Sequence, residues 1–125
     1  MLAITDAHFA ARNAASIALA DAGTAAATLQ LHDAAQVLLA TVTLLKPCGH
    51  IDTQGRIVLD VSAAQDIAIA TGAAAWCAWC DGSGTPIATG SVTASGQGGD
   101  FELVGTSGTM VYAGAVVLLS GITIG

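Results

Sequence analysis

The sequence predicts a mainly β domain: an antiparallel β-sandwich or jelly roll of about eight short strands, preceded by a short α-helix over 5–22. Three observations predict it. A helical period runs through the first twenty-odd residues and does not recur after Gly23. From residue 27 onward, short runs alternate apolar and polar side chains or are rich in β-branched residues. Clusters of Gly, Asp, Pro and Ser separate those runs at short intervals.

The helix begins at "TDAHFAARNAASIALADAG". Thr5 or Asp6 can cap it, the alanines favour it, and Gly23 is a natural stop. Phe9, Ala10, Asn13, Ile17 and Ala20 recur at helical spacing, giving a narrow apolar stripe that suits packing on something larger. Then the period changes. In "ATLQLHD", Leu29 and Leu31 share one face and Gln30 and His32 the other. "QVLLATVTLL", "GRIVLDV", "DIAIA", "AAAWCAWC", "TPIATGSV", "DFELV" and "GAVVLLSGITI" follow as strand candidates. Turns are expected at 46–50, 53–55, 81–84, 95–99 and from Gly105 to Gly108.

Composition narrows the function. At 125 residues the chain is one domain, 1–125, with the strands over 27–125. Only 10% of residues are charged, the basic ones being Arg12, Lys46 and Arg56, and the net charge is −6. Such a chain has nothing with which to neutralise a run of phosphates, which excludes nucleic acid and an anionic membrane surface as partners. The hydrophobic fraction is 54% and the mean hydropathy +0.70. A surface built from this composition is either coated with Ala, Thr, Ser and Gly or covered in part by other subunits. No run reaches the roughly 18–20 apolar residues of a membrane span. The N-terminus lacks a basic n-region, so no secretory signal is read there and the three cysteines are expected as free thiols in a reducing cytoplasm.

Cys77 and Cys80 form a C-x-x-C. A zinc knuckle needs that motif at a tight turn, and a redox pair needs it at a helix N-terminus. Here it lies within a strand candidate. Side chains three apart on a strand point to opposite faces, about 10 Å apart along it, so the two sulfurs meet neither one ion nor each other. Structural thiols are the expected reading, and no cofactor or metal is assigned. Cys48 and His50 complete a four-ligand zinc set with Cys77 and Cys80 only if the strand reading fails. The same alternation separates the tryptophans: Trp76, Ala78 and Cys80 share one face, and Ala75, Cys77 and Trp79 the other. We expect Trp76 in the core and Trp79 at a contact with a partner.

The remaining polar residues are dispersed. His8, His32 and His50 read as surface or capping histidines. Asp100 and Glu102 read as the solvent side of an edge strand. Asp52, Asp81 and Asp100 sit in turns, where a calcium site is the functional alternative. No glycine cluster precedes a helix in the manner of a phosphate loop. Nothing assembles into a catalytic centre, so the chain is expected not to be an enzyme.

The stretches "ATGAAAWCAWCDGSGTPIATGSV" and "GGDFELVGTSGTMVYAGAVVLLSGITI" resemble a family of small tailed-phage virion proteins. The matching residues are Ala70, Thr71, Gly72, Trp76, Asp81, Gly84, Thr85, Gly90, Ser91, Val92, Gly114, Val116, Leu118 and Ile122. The chain departs from the pattern at Cys77 and Cys80. The resemblance implies a non-enzymatic structural protein of the virion, made in the host bacterial cytoplasm. A capsid decoration or cement protein is the first reading, and a tail, neck or receptor- or glycan-binding accessory protein the alternative. Its partners would be itself and other virion proteins, the major capsid protein or tail and neck proteins. Trp79 and the helix, through Phe9 and Ile17, are then the expected contacts. A thiol-linked assembly would add Cys48, Cys77 and Cys80 at subunit boundaries.

Overall fold

A computed structural model describes residues 2–62, 66–105, 108–120 and 122–124. The chain is mainly β with one N-terminal helix. The elements are α1 (Asp6–Ala20), β1 (Thr28–Asp33), β2 (Leu38–Ile51), β3 (Ile57–Val61), β4 (Gly72–Cys80), β5 (Pro86–Ala94), β6 (Phe101–Leu103), β7 (Met110–Val111), β8 (Leu119–Ser120) and β9 (Thr123–Ile124). No helix among the described residues is long and apolar enough to cross a membrane. The turn expected from Gly105 to Gly108 includes residues 106 and 107, and the last expected strand includes residue 121; these three lie outside the described residues.

The helix forms where its signals sit. Thr5 is extended and its hydroxyl accepts the His8 N–H at 3.2 Å, so the cap is the threonine. Asp21 closes the other end, its N–H donating to the Ile17 carbonyl at 2.9 Å. The carboxylate of Asp21 also accepts the Cys48 N–H at 3.1 Å, which pins the end of α1 to β2.

Strand pairing departs from the expectation. The strands follow one path, β8-β6-β5-β4-β1-β2-β3-β9, with β7 beside β4, instead of dividing into two face-packed sheets. Nor is the sheet purely antiparallel: β5 and β6 run parallel, Val92 opposite Phe101 and Ala94 opposite Leu103. Parallel neighbours ordinarily need a long crossover. Here six residues, 95–100, double back along β5: Gly99 N–H reaches Thr93 Oγ1 at 3.0 Å and Asp100 N–H reaches Ser91 Oγ at 3.2 Å. Gly96 and Gly98, both at positive φ, permit so tight a return. β8 and β9 end the path at opposite edges yet are adjacent in the chain, so the sheet curls until its edges approach. Within the curl, Leu29, Leu31, Leu39, Val42, Leu44, Ile57, Trp79 and Leu103 form the core, and Ala20 and Ile17 join it from α1.

Three hairpins share one turn. Asp33, Asp52 and Asp81 each start a five-residue loop in which Oδ1 accepts the N–H groups two and four residues on, at 2.8–3.0 Å. In each, the N–H of the fourth loop residue returns to the aspartate carbonyl. That fourth residue has positive φ: Gly55 at 81°, Gly84 at 83°, and Gln36 at 68°. A non-glycine residue there costs about 1–2 kcal/mol, against roughly 0.5–1 kcal/mol of extra backbone entropy for glycine. Gln36→Gly should therefore stabilise the fold by about 0.5–1 kcal/mol, read as a rise of a few degrees in Tm.

β2 is bent midway. Its pairing with β3 skips between Leu44 and Gly49, where Pro47 has no N–H to give a ladder. The first half of β2 is edged instead by residues 66–70. Ile69 and Ala70 N–H groups meet the Leu39 carbonyl at 2.8 and 3.3 Å, and Asp66 accepts from Thr43 N–H and Oγ1 at 2.8 and 3.2 Å.

Candidate interaction surface

The register decides which tryptophan is inside. β1 pairs with β4 so that Leu29 faces Trp79 and Leu31 faces Cys77. Across β2, the same rows continue to Val42 and Ala40. Leu29 and Leu31 are fully buried, so the face they share with Cys77 and Trp79 is the core face. Trp79 is only 2% exposed. Trp76 lies on the other side, half-buried, its ring stacked on His32 with centroids 4.2 Å apart and planes 8° from parallel. Alternation correctly separates the two rings, but the expected division is inverted: Trp79 is core and Trp76 is outward. Trp79 offers no surface to a partner.

The cysteines are also inside. Cys77 and Cys80 point to opposite faces, as a strand requires, but both faces of Ala78–Cys80 are closed. Burial pushes the Cys77 thiol up to about 12, and raises Cys80, helped by the adjacent Asp81 charge. Burial, then the Asp21 charge, pushes Cys48 to about 12. None of the three presents a sulfur to a neighbouring chain, so the expected place of Cys48, Cys77 and Cys80 at subunit boundaries is corrected. Phe9 and Ile17 are half-buried, and both serve the chain itself. Phe9 lies over the Asp52–Arg56 turn and Ile17 packs on the core.

Native thiols should accordingly alkylate at least roughly a hundredfold more slowly at pH 8 than the same thiols in denaturant. The pH sign follows from the raised values. The native chain holds these protons more tightly than the unfolded one, so their contribution to stability is complete below the ordinary 9.0. It is lost as pH climbs beyond that. Denaturant midpoints measured from pH 7 to 11 check this.

No group of three or more His, Cys, Asp or Glu able to hold a metal ion occurs among the described residues. The calcium candidates are engaged locally. Asp52 and Asp81 hold their own turns; the Arg56 and Gln54 backbone amides, joined by Arg56 Nε at 3.0 Å, hold the Asp52 carboxyl below its usual range. Asp100 accepts from Ser91 N–H at 2.9 Å. His50 Nδ1 lies 2.9 Å from Asp60 at the surface.

A different feature stands out. Where residues 66–70 meet residues 112–118, large aliphatic side chains face water. Ile67 bridges Val116 antiparallel, flanked by Ala68 N–H to Ala115 O at 2.9 Å and Val117 N–H to Asp66 O at 3.0 Å. Val117 turns inward; Val116 and Leu118 turn out. Ile69 is 68% exposed, Tyr112 59% and Leu118 55%, and Ile67, Val116 and Val104 continue the patch. Beside it lies a cleft of about 270 Å³, its wall formed by Leu103, Val104, Met110, Tyr112, Val116 and Leu118. The lining carries no charge and one hydroxyl. It can take up apolar side chains. The sequence holds one signal for this patch: "AVVLL" is apolar on both faces, as in a strand covered on both sides, and the chain covers only one.

Comparison with protein-family models, with curated proteins and with solved structures finds no match.

Proposed function

We propose that this chain is a non-enzymatic structural protein of a tailed-phage virion, a capsid decoration or cement subunit that works by being packed against other subunits. The exposed aliphatic patch carries the reading. Six half-exposed large side chains leave on the order of 500 Å² of apolar surface in water, near the upper end of what a monomer's largest patch presents. Covering it at about 25 cal/mol per Å² is the kind of contribution a cement subunit makes across capsomer junctions. The low charge and the uncharged cleft favour a protein partner over nucleic acid, and the phage setting comes from the resemblance in residues 70–92 and 114–122. A tail or neck position uses the same surface equally well.

The test compares wild type with Val116→Asp/Leu118→Asp in phage particles separated by density. Both positions are outward, so the double variant should fold and melt near wild type. We expect wild type to band with particles and the variant to be depleted at least tenfold. Equal incorporation of both would remove the patch from the account.

A further inference from the structure

The outer face of the sheet carries an aromatic pair that belongs neither to the core nor to the aliphatic patch. His32 and Trp76 stand opposite each other on β1 and β4, both half-buried, with rings 4.2 Å apart and 8° from parallel. His32 Nδ1 is buried and meets no hydrogen-bond partner among the described residues. In the neutral ring that nitrogen leaves one lone pair or one N–H unpaired. In the imidazolium both ring nitrogens carry protons, so a charged N–H then lies in the same place with nothing to accept it. An unpaired charged donor out of water costs more than a neutral one. The neighbours offer no acceptor side chain with charge. Leu38 on β2 and Trp76 on β4 are directly opposite His32, with Thr41 and Ala78 one pair further along that face, and none of them ionises. Asp33, next in the chain, is committed to its turn, its Oδ1 accepting the Ala35 and Val37 amides. Beyond the indole, Ser91 of β5 stands opposite Trp76 and is held by Asp100 Oδ2 at 2.9 and 3.2 Å.

We infer that the His32–Trp76 stack is a proton-operated cover: the neutral imidazole lies on one face of the indole, and the protonated ring swings out to water and uncovers Trp76. The attraction of an imidazolium to an indole face favours staying, but at a half-exposed pair it is weaker than the loss from an unpaired buried charge. The backbone is built to yield at this point. β1 slips register against β2 between Leu31 and His32, and against β4 between His32 and Asp33, so His32 sits between two irregularities of the ladder. The turn that follows carries Gln36 at positive φ. Histidine is the side chain whose charge ordinarily changes between about pH 5 and 8, so the indole face is covered above that range and open to a contact below it. The switch is independent of the aliphatic patch and of the virion reading.

Acrylamide quenching of tryptophan emission in the full chain, titrated from about pH 8 to about pH 5, tests this. Trp79 is 2% exposed, so the readily quenched emission is that of Trp76. In wild type the quenching constant should rise at least about twofold on acidification, with a red shift of the emission maximum as the indole meets water, while the far-UV circular dichroism stays constant. His32→Phe keeps a ring on the indole but has no proton to gain, so its quenching should stay low throughout. His32→Gln removes the ring, so its quenching should be high throughout. Matched melting curves at the upper pH verify both folds. A readout free of substitutions comes from NMR of the wild type, where the His32 ring and the Trp76 indole N–H should shift with one midpoint. Wild-type quenching that stays constant, with the imidazolium still on the indole, would overturn the inference. So would a rise of the same size in His32→Phe, a transition accompanied by loss of the sheet signal, or separate midpoints for the two rings.

Discussion

Trp79→Ala should cost about 3–5 kcal/mol of folding stability, the range for deleting a large buried aromatic. The indole sits on the core face opposite Leu29 and Ala88, and the row continues through Leu29 to Val42. Little of it touches water, so alanine leaves a cavity walled by side chains that the curled sheet holds in place. A domain of this size has roughly 5–15 kcal/mol in total, so the variant should be near its unfolding threshold at 37 °C. Trp79→Phe should behave differently. The indole Nε1 is buried with no hydrogen-bond partner among the described residues, and removing an unsatisfied donor offsets part of the volume lost. We expect phenylalanine to cost about 1–2 kcal/mol. Urea midpoints of the two variants measure both. An unchanged midpoint for Trp79→Ala would contradict the inward placement and restore Trp79 as a surface residue.

Gly55→Ala should cost about 3 kcal/mol, and an internal control shows why. Gly55 and Gly84 occupy the same position of the same aspartate-started hairpin, at φ 81° and 83°. A methyl group at Gly84 meets only the Gln30 side chain at 3.9 Å, so Gly84→Ala carries the backbone strain alone, about 1–2 kcal/mol. At Gly55 the same methyl group would stand 2.5 Å from the Asp6 carbonyl oxygen and 2.9 Å from the Ala10 amide. Those are backbone atoms of α1 and have no rotamer with which to yield. The helix must lift from the sheet, giving up the Asn13 hydrogen bond and loosening Ile17 and Ala20 in the core. The difference between the two substitutions measures how firmly the helix is docked. Equal costs at the two positions would mean that α1 is not held by this turn.

The parts of this fold that are local were legible in the sequence. Thr5, the alanine run and Gly23 place a helix over 5–22, and α1 occupies Asp6–Ala20. The Asp–Gly loops at 52–55 and 81–84 announce their turns; the equivalent loop at Asp33 does not, because Gln36 stands where glycine would mark it. What escaped depends on partners distant in the chain. Whether Trp76 or Trp79 is buried is set by the register of β4 on β1, since β4 alone carries an indole on each face. The parallel β5–β6 pair arises from hydrogen bonds of Thr93 and Ser91 to residues 99 and 100, while the glycines of 95–99 suggest only a turn. The exposed patch escaped for a related reason. An apolar strand reads the same whether its outer face is covered by its own chain or by another, so Val116 and Leu118 pass for core until the strands around them are placed.

The proposed virion role is tested most directly by the protein content of density-separated phage particles from cells that express this chain. We expect the wild-type chain in those particles at a fixed copy number, a multiple set by particle symmetry, and retained under reductant because buried Cys48, Cys77 and Cys80 do not link subunits. A chain recovered solely as a free 12.2 kDa monomer, with none in the particles, would contradict the assembly account.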